Sequence, residues 1–240
     1  ITPINILHIS DLHYPDNGIS LDILCNKIDS INPDLIFLTG DIIDRNTSLK
    51  DINQLSDFFA KINKNNNTYA VLGNHETENK NLQRYNDILN ENNIILLNNT
   101  FIKIEILNKK IVIAGLTDNS NYNYKEIFED NDITINDTML LLSHRPENVN
   151  SYIAEVNKIN PFIIFTGHAH GGQFIFFGKG ILSPDQGLFP KYFNGLYSFK
   201  KSHMVVSRGL GNSIFHFRLY NAYHMPLIKL YLWKNPYTLT

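Results

Sequence analysis

The sequence has a single cysteine, Cys25, in 240 residues. That excludes an intramolecular disulfide framework and leaves the redox compartment open. Cys25 falls in a helix-like stretch and reads as a small buried apolar residue, not a nucleophile. No apolar run approaches the ~18 residues that cross a bilayer, and no secretory leader opens the chain. The chain begins at Ile1, not Met. A soluble domain is expected, and membrane association would need a segment absent from this chain. Charge of one sign is also lacking: 21 Lys and Arg face 23 Asp and Glu, a formal net charge of -2. That argues against a large phosphate-neutralising footprint, so nucleic acid is not the expected partner. There is no internal repeat and no low-complexity linker. Ala is scarce while Asn and Ile abound, which reads as coding bias.

What is present is a run of short elements. Hydrophobic content of 43 % with 18 % charged residues is ordinary for a globular domain. Buried strands are expected at Ile4–Ser10, Asp34–Thr39, Thr68–Leu72, Met139–Leu142 and Phe162–Thr166. Amphipathic helices are expected over Ser20–Ile31, Leu49–Ile62, Asn81–Asn90 and Pro146–Lys158. Three closely spaced strands, Ile94–Leu97, Phe101–Leu107 and Ile111–Leu116, are expected to join through hairpin-like turns at Asn98-Asn99 and Asn108-Lys109. The segment Asp118–Asp137 looks irregular, with one helical turn near Lys125–Phe128. Met204–Ser207 and Ile228–Trp233 read as late strands. The mix suggests two packed sheets with helices outside.

Five polar clusters end apolar runs: Asp11-Leu12-His13, Gly40-Asp41-Ile42-Ile43-Asp44, Gly73-Asn74-His75-Glu76, Ser143-His144 and Gly167-His168-Ala169-His170. Asp, His and Asn are ligands that hard-to-borderline divalent metals accept. In open α/β sheets, ligands bind beyond the carboxyl ends of strands, so residues far apart in sequence can converge there. Asp11 and His13 are two apart, as are His168 and His170, and each pair can turn around one ion. Six or seven mixed oxygen and nitrogen ligands exceed the need of one tetrahedral zinc. They suit two ions sharing a carboxylate, and Asp41 lies between the two subsets in the chain.

These ordered motifs resemble the calcineurin-like metallophosphoesterase superfamily over Asp11 to His170. The tail segments Gly167–Gln173, Ser183–Gly187, Lys191-Tyr192, Gly195–Tyr197 and Ser207–Gly211 are similar to its YkuE-like branch. The resemblance implies an α/β (α+β) fold, a four-layer αββα sandwich of two mixed β-sheets flanked by helices. It implies one domain over 1–240, with 171–240 supplying the later strands and an active-site cap. It implies two divalent ions, Mn, Fe or Zn. Asp11, His13 and His170 would hold one ion, Asn74, His144 and His168 the other, and Asp41 would bridge. His75 would protonate or stabilise the leaving oxygen, and Asp44 would orient His75 or a ligand. Tyr14-Pro15 stands where many members carry Gly, so Tyr14 is expected near the substrate entrance.

Other residues carry plainer alternatives. His8, His203, His216 and His224 read as core or surface histidines. Glu76 reads as a helix-start residue. Arg145 could hold a substrate phosphate or pair with a carboxylate. Lys191 and Arg208 are further phosphate candidates. Gly171 and Gly172 read as a tight turn. The aromatics from Phe174 to Tyr197 pack late strands or rim a lipid-like or nucleoside-bearing substrate. The expected activity is hydrolysis of a phosphodiester or pyrophosphate bond by metal-bound hydroxide, on a small-molecule or lipid-linked substrate. The alternatives are a phosphomonoesterase acting on a metabolite or phosphoprotein, a non-catalytic scaffold, and a nuclease.

Overall fold

The computed structural model describes residues 2–16, 18–65, 67–118, 133, 138–155, 162–212 and 217–232. Strands β1 (Ile4–Ile9), β2 (Leu35–Thr39), β3 (Thr68–Val71) and β4 (Ile95–Leu96) run parallel in one sheet. Helices α1 (Leu21–Ile31) and α2 (Leu49–Ile62) connect the first three strands. Helices α3 (Asn74–Glu78) and α4 (Leu82–Glu91) follow β3. Strands β5 (Thr100–Ile106), β6 (Lys109–Gly115), β7 (Thr138–Leu142) and β8 (Phe162–Thr166) belong to a second sheet, with α5 (Val149–Glu155) between the last two. Two small hairpins come next: β9 (Ile175–Phe176) with β10 (Lys179–Gly180), and β11 (Leu182–Ser183) with β12 (Gly187–Leu188). The tail then serves both sheets. Strands β13 (Gly195–Ser198) and β14 (Ser202–Val206) extend the second sheet. Strand β15 (Leu227–Leu230) pairs antiparallel with β1. The sheet orders are β15-β1-β2-β3-β4 and β13-β14-β8-β7-β6-β5, and both are mixed.

Period-two alternation assigns each strand residue to a layer. Ile4, Ile6, Leu35, Phe37, Tyr69 and Val71 of the first sheet meet Ile111, Ile113, Leu140, Leu142, Phe165 and Val205 of the second. Their neighbours point outward. Leu7, Ile9, Ile36 and Leu38 pack under α1, α2 and α4, while Val112, Met139, Leu141 and Ile164 pack with Val149 and Tyr152 of α5. Both faces of the central strands are covered, so those strands read as unbroken apolar runs. The result is the expected four-layer sandwich. Helix α2 buries Ile52, Leu55, Phe59 and Ile62, adds Phe58, and starts at Ser48, whose Oγ accepts the Asp51 N–H at 3.2 Å.

Three expectations need correction. Asn98-Asn99 is not a hairpin: β4 closes the first sheet beside β3, and the chain crosses to the second sheet at β5. The β5–β6 turn is one residue earlier than expected. Leu107 and Asn108 are its central residues, both at positive φ (50° and 58°), between paired Ile106 and Lys109. The helix after Pro146 begins with a 3₁₀ turn, Pro146–Asn148, before α5. The helical turn near Lys125–Phe128, His216 and Trp233 lie outside the described residues.

Phe37 lies at the centre of the inter-sheet layer, edge-on to Phe165 (4.9 Å between centroids) and Tyr69 (6.2 Å). Phe37→Ala is expected to lower unfolding free energy by about 3–5 kcal/mol in urea titrations, whereas Phe37→Leu should lose about half of that or less.

Candidate metal centre

Strands β1, β2, β3, β7 and β8 end on the same side, and the polar clusters meet there. The loop after β1 runs along the loop after β2: the Asp11 N–H reaches the Gly40 carbonyl at 3.0 Å and the His13 N–H reaches that of Asp41 at 3.0 Å. Asp11, His13, Asp41, His168 and His170 all take left-handed backbone conformations, with φ between 46° and 64°. Such conformations are costly for residues with a Cβ and mark functional loops. Glycines let the loops close up. A Cβ on Gly73 would lie 2.3 Å from Asp41 Oδ1, and one on Gly167 would lie 2.3 Å from Asp11 Oδ2.

The side chains form two neighbouring groups. Asp11, His13 and His170 make the first, and Asp41, His144 and His168 the second. Within each, one donor atom per residue lies within 4.8 Å of the others. His13 Nε2 is 3.2 Å from His170 Nε2, and His144 Nε2 is 3.1 Å from His168 Nδ1. Asp41 Oδ2 lies 3.1 Å from His144 Nε2, 3.8 Å from His13 Nε2 and 3.9 Å from His75 Nε2. It therefore faces both groups. Asp11 Oδ2 and Asn74 Oδ1 are buried and lack a hydrogen-bond partner. Buried oxygens are seldom left so; the other Asp11 oxygen, Oδ1, lies 3.5 Å from His170 Nε2.

The outward nitrogens of three imidazoles fix their orientation. His144 Nδ1–H donates to the Thr39 carbonyl at 2.8 Å. His168 Nε2–H donates to Asp185 at 2.8 Å. His13 Nδ1 faces Asp44 at 3.5 Å. Each ring thus turns its other nitrogen inward, the arrangement metal-ligating histidines adopt. The donor set fits divalent metal ions.

Electrostatics follow from this crowding. Burial opposes ionisation of Asp41, but His144, His13 and His75 overcome it and hold its pKa well below the usual range. Burial raises Asp11, against the pull of His144. Burial resists protonation of His144, yet Asp41 at contact pushes its pKa up to about 10. Burial lowers His168 to about 4, aided by His144 and Arg145. Asp44 is depressed chiefly by its bond to His13. Its Oδ2 also lies 3.0 Å from His75 Nδ1.

The remaining expected contacts are mixed. Arg145 pairs with Asp118 through Nε at 2.6 Å and with Asp185 through Nη1, which is the pairing alternative. Arg208 lies beside Gly171, with its Nε buried and without a hydrogen-bond partner. Lys191 is exposed, 4.9 Å above the Tyr192 ring. Tyr14 is not brought to the cluster: it packs on the outer core, and its hydroxyl donates to Gln54 of α2 at 2.7 Å. His8 is fully buried, lowered to about 3 by burial and by His224. His203 is exposed.

Sequence reasoning missed Asp118, Asp185, Arg218 and the reach of Glu76. Asp185 was visible only inside a tail motif, with nothing local to pair it with His168. Arg218 Nη2 sits 3.5 Å from His170 Nδ1. Glu76 opens α3, as expected, and also accepts the N–H groups of Asp41, Ile42, Ile43 and Gly73 at 2.6–3.0 Å. Burial and the nearby Asp41 push it up to about 7.

A sandwich of two mixed sheets with buried Asp and His clusters at the strand ends defines an α/β protein whose donors could hold metal ions. The calcineurin-like phosphoesterase family matches residues 4–172, and the chain belongs to that family. Its sequence is 31 % identical over 172 residues to the uncharacterised metallophosphoesterase YkoQ of Bacillus subtilis, covering 71 % of this chain and 62 % of YkoQ. It is 28 % identical over 216 residues to the uncharacterised metallophosphoesterase YkuE of the same organism, covering 86 % and 71 %, which puts it with the YkuE-like branch. It is 26 % identical over 263 residues to the UDP-2,3-diacylglucosamine pyrophosphatase LpxG of Chlamydia muridarum, covering 87 % and 78 %. Among solved structures, the NAD nucleotidase NadN of Haemophilus influenzae superposes with a TM-score of 0.59 at 19 % identity, over 95 % of this chain and 49 % of NadN. That likeness concerns the fold.

Glu76→Ala would leave four backbone N–H groups of the Asp41 and Gly73 loops unpaired. Unfolding free energy should fall by about 3 kcal/mol or more, and manganese affinity, measured by calorimetry, should drop with it. Unchanged metal affinity would mean that the Glu76 carboxylate does not shape the loop.

Proposed function

We propose that the chain is a dinuclear-metal phosphoesterase that cleaves a phosphodiester or pyrophosphate bond. The observation that carries this reading is the convergence of inward imidazole nitrogens on Asp41, with Asp11 Oδ1 3.5 Å from His170 Nε2. Asp11, His13 and His170 would hold one ion in this reading and Asn74, His144 and His168 the other, with Asp41 between the two groups. Mn, Fe and Zn ions all suit the donor set. Divalent ions held there supply charge to a phosphoryl oxygen and acidify water.

The chain's own groups do the rest. His75 Nδ1 lies 3.0 Å from Asp44 Oδ2 and accepts the Arg45 backbone N–H at 3.4 Å, while Nε2 lies 3.9 Å from Asp41. Protonated His75 donates from Nε2 to the departing oxygen, and Asp44 stabilises the imidazolium until that transfer. Arg45 Nη2 lies 3.3 Å from the same nitrogen. The backbone N–H of His75 donates to Asp41 Oδ1 at 3.0 Å and fixes that carboxylate. Preference for a diester or pyrophosphate is supported by LpxG, whose name describes a pyrophosphatase with a lipid-linked substrate.

With manganese, iron or zinc supplied, the chain should hydrolyse bis-p-nitrophenyl phosphate faster than p-nitrophenyl phosphate. The reverse order would favour the monoesterase reading. Asp41→Ala should lose both metal and activity. His75→Ala should keep its metal and lose roughly 10²–10⁴-fold in rate; full activity in that variant would remove His75 from the mechanism.

A further inference from the structure

Arg145 stands beside the second group with its charge already committed. Its Nε donates to Asp118 Oδ1 at 2.6 Å, its Nη1 donates to Asp185 Oδ2, and the same Nη1 lies 3.6 Å from Glu147 Oε1. Three carboxylates thus face one guanidinium. The groove that Arg145 lines carries Asn74, Thr77 and Glu78 beside Asp118 and Glu147. A substrate phosphate reaching for Arg145 would have to displace one carboxylate and sit among the others.

The pairing leads to an imidazole of the metal centre. Asp185 Oδ2 accepts twice, from Arg145 Nη1 and from His168 Nε2 at 2.8 Å. The two nitrogens are 3.3 Å apart, the spacing of two donors that share one oxygen. Asp185 sits on the β11–β12 turn with its side chain 53 % exposed. An exposed carboxylate gains little from an isolated ion pair. It gains more from a guanidinium whose other edge is already fixed, here by Asp118, because less freedom is lost in pairing.

Both ends of this path are anchored. The Arg145 carbonyl accepts the Tyr152 hydroxyl at 3.0 Å, and that hydroxyl accepts from Ser143 Oγ at 2.7 Å, so Tyr152 grips the backbone on either side of His144. On the hairpin, Gln186 brackets Tyr192: its Nε2 donates to the Tyr192 carbonyl at 2.7 Å, and its Oε1 accepts the Tyr192 N–H at 2.9 Å. Tyr192 is buried with Val112 of β6 and Tyr152 of α5. The Asp118 N–H reaches the Leu72 carbonyl, just past β3, at 3.3 Å.

We propose that Arg145 is a positioning residue for the second ion: held by Asp118, it retains Asp185 against His168 and so fixes which nitrogen of that imidazole faces the cluster. It is not a contact for the substrate phosphate. Without the guanidinium, Asp118, Glu147 and Asp185 repel one another and the turn loses its hold on His168. Lysine restores the charge but not the planar fork that serves Asp118 and Asp185 together. The metal part of the inference rests on the two-ion reading; the imidazole orientation is a property of the chain alone.

The test compares the wild type with Arg145→Gln, Arg145→Lys and Asp185→Asn. In the metal-free chain, long-range nitrogen–proton correlation spectra should place the His168 proton on Nε2, and Arg145→Gln should spread it over both ring nitrogens. In manganese titrations followed by native mass spectrometry, Arg145→Gln should lose roughly 10–100-fold in affinity for one of two ions and keep the other. Asp185→Asn should lose about as much, and the double variant no more than either alone, because both act through one contact. Arg145→Lys should recover part of the loss. At saturating manganese, the KM of Arg145→Gln for bis-p-nitrophenyl phosphate should stay within about twofold of wild type. A raised KM with wild-type metal affinity would make Arg145 a phosphate contact, overturning the inference while the two-ion reading stands. If Arg145→Gln does not fold, Arg145→Lys decides by the same comparison. An unaltered His168 tautomer in folded Arg145→Gln also overturns the inference. A wild type that retains a single ion contradicts the two-ion reading instead, and the tautomer still decides the role of Arg145.

Discussion

Two carboxylates, Asp11 and Asp41, are buried among four imidazoles where the strands of two sheets end. Charges removed from water are expensive unless something compensates them, and the surrounding structure is arranged around that cost. Five left-handed residues aim the donors inward, glycines admit the loops, and Glu76 gathers four backbone N–H groups behind Asp41. The inter-sheet core supplies the rigidity. Phe37, Phe165 and Tyr69 lock the two sheets, so loops from β1, β2 and β3 on one and from β7 and β8 on the other keep their register.

The strand ends were legible because each apolar run stops at a polar cluster, and burial on both faces leaves no alternation to obscure those runs. Helix α2 was legible to the residue, since its apolar stripe is local in the sequence. Sheet membership was not local. Nothing in Ile94–Leu97 says that β4 joins β3 while β5 crosses to the other sheet. That choice depends on which edge each strand finds, and Asn98-Asn99 imitates a hairpin turn.

The same distinction holds at the metal centre. Residues that would touch the ions announce themselves by type and position. Those that orient them do not: Thr39 serves His144 through a carbonyl, and Asp185 reaches His168 from a hairpin in the tail.

The central claim is that the two groups joined at Asp41 form a two-ion site. Native mass spectrometry of the chain titrated with manganese addresses it directly. The account predicts a species with two ions per chain, the two bound over a narrow concentration range because they share Asp41. Saturation at a single ion, or no retained ion, would contradict it.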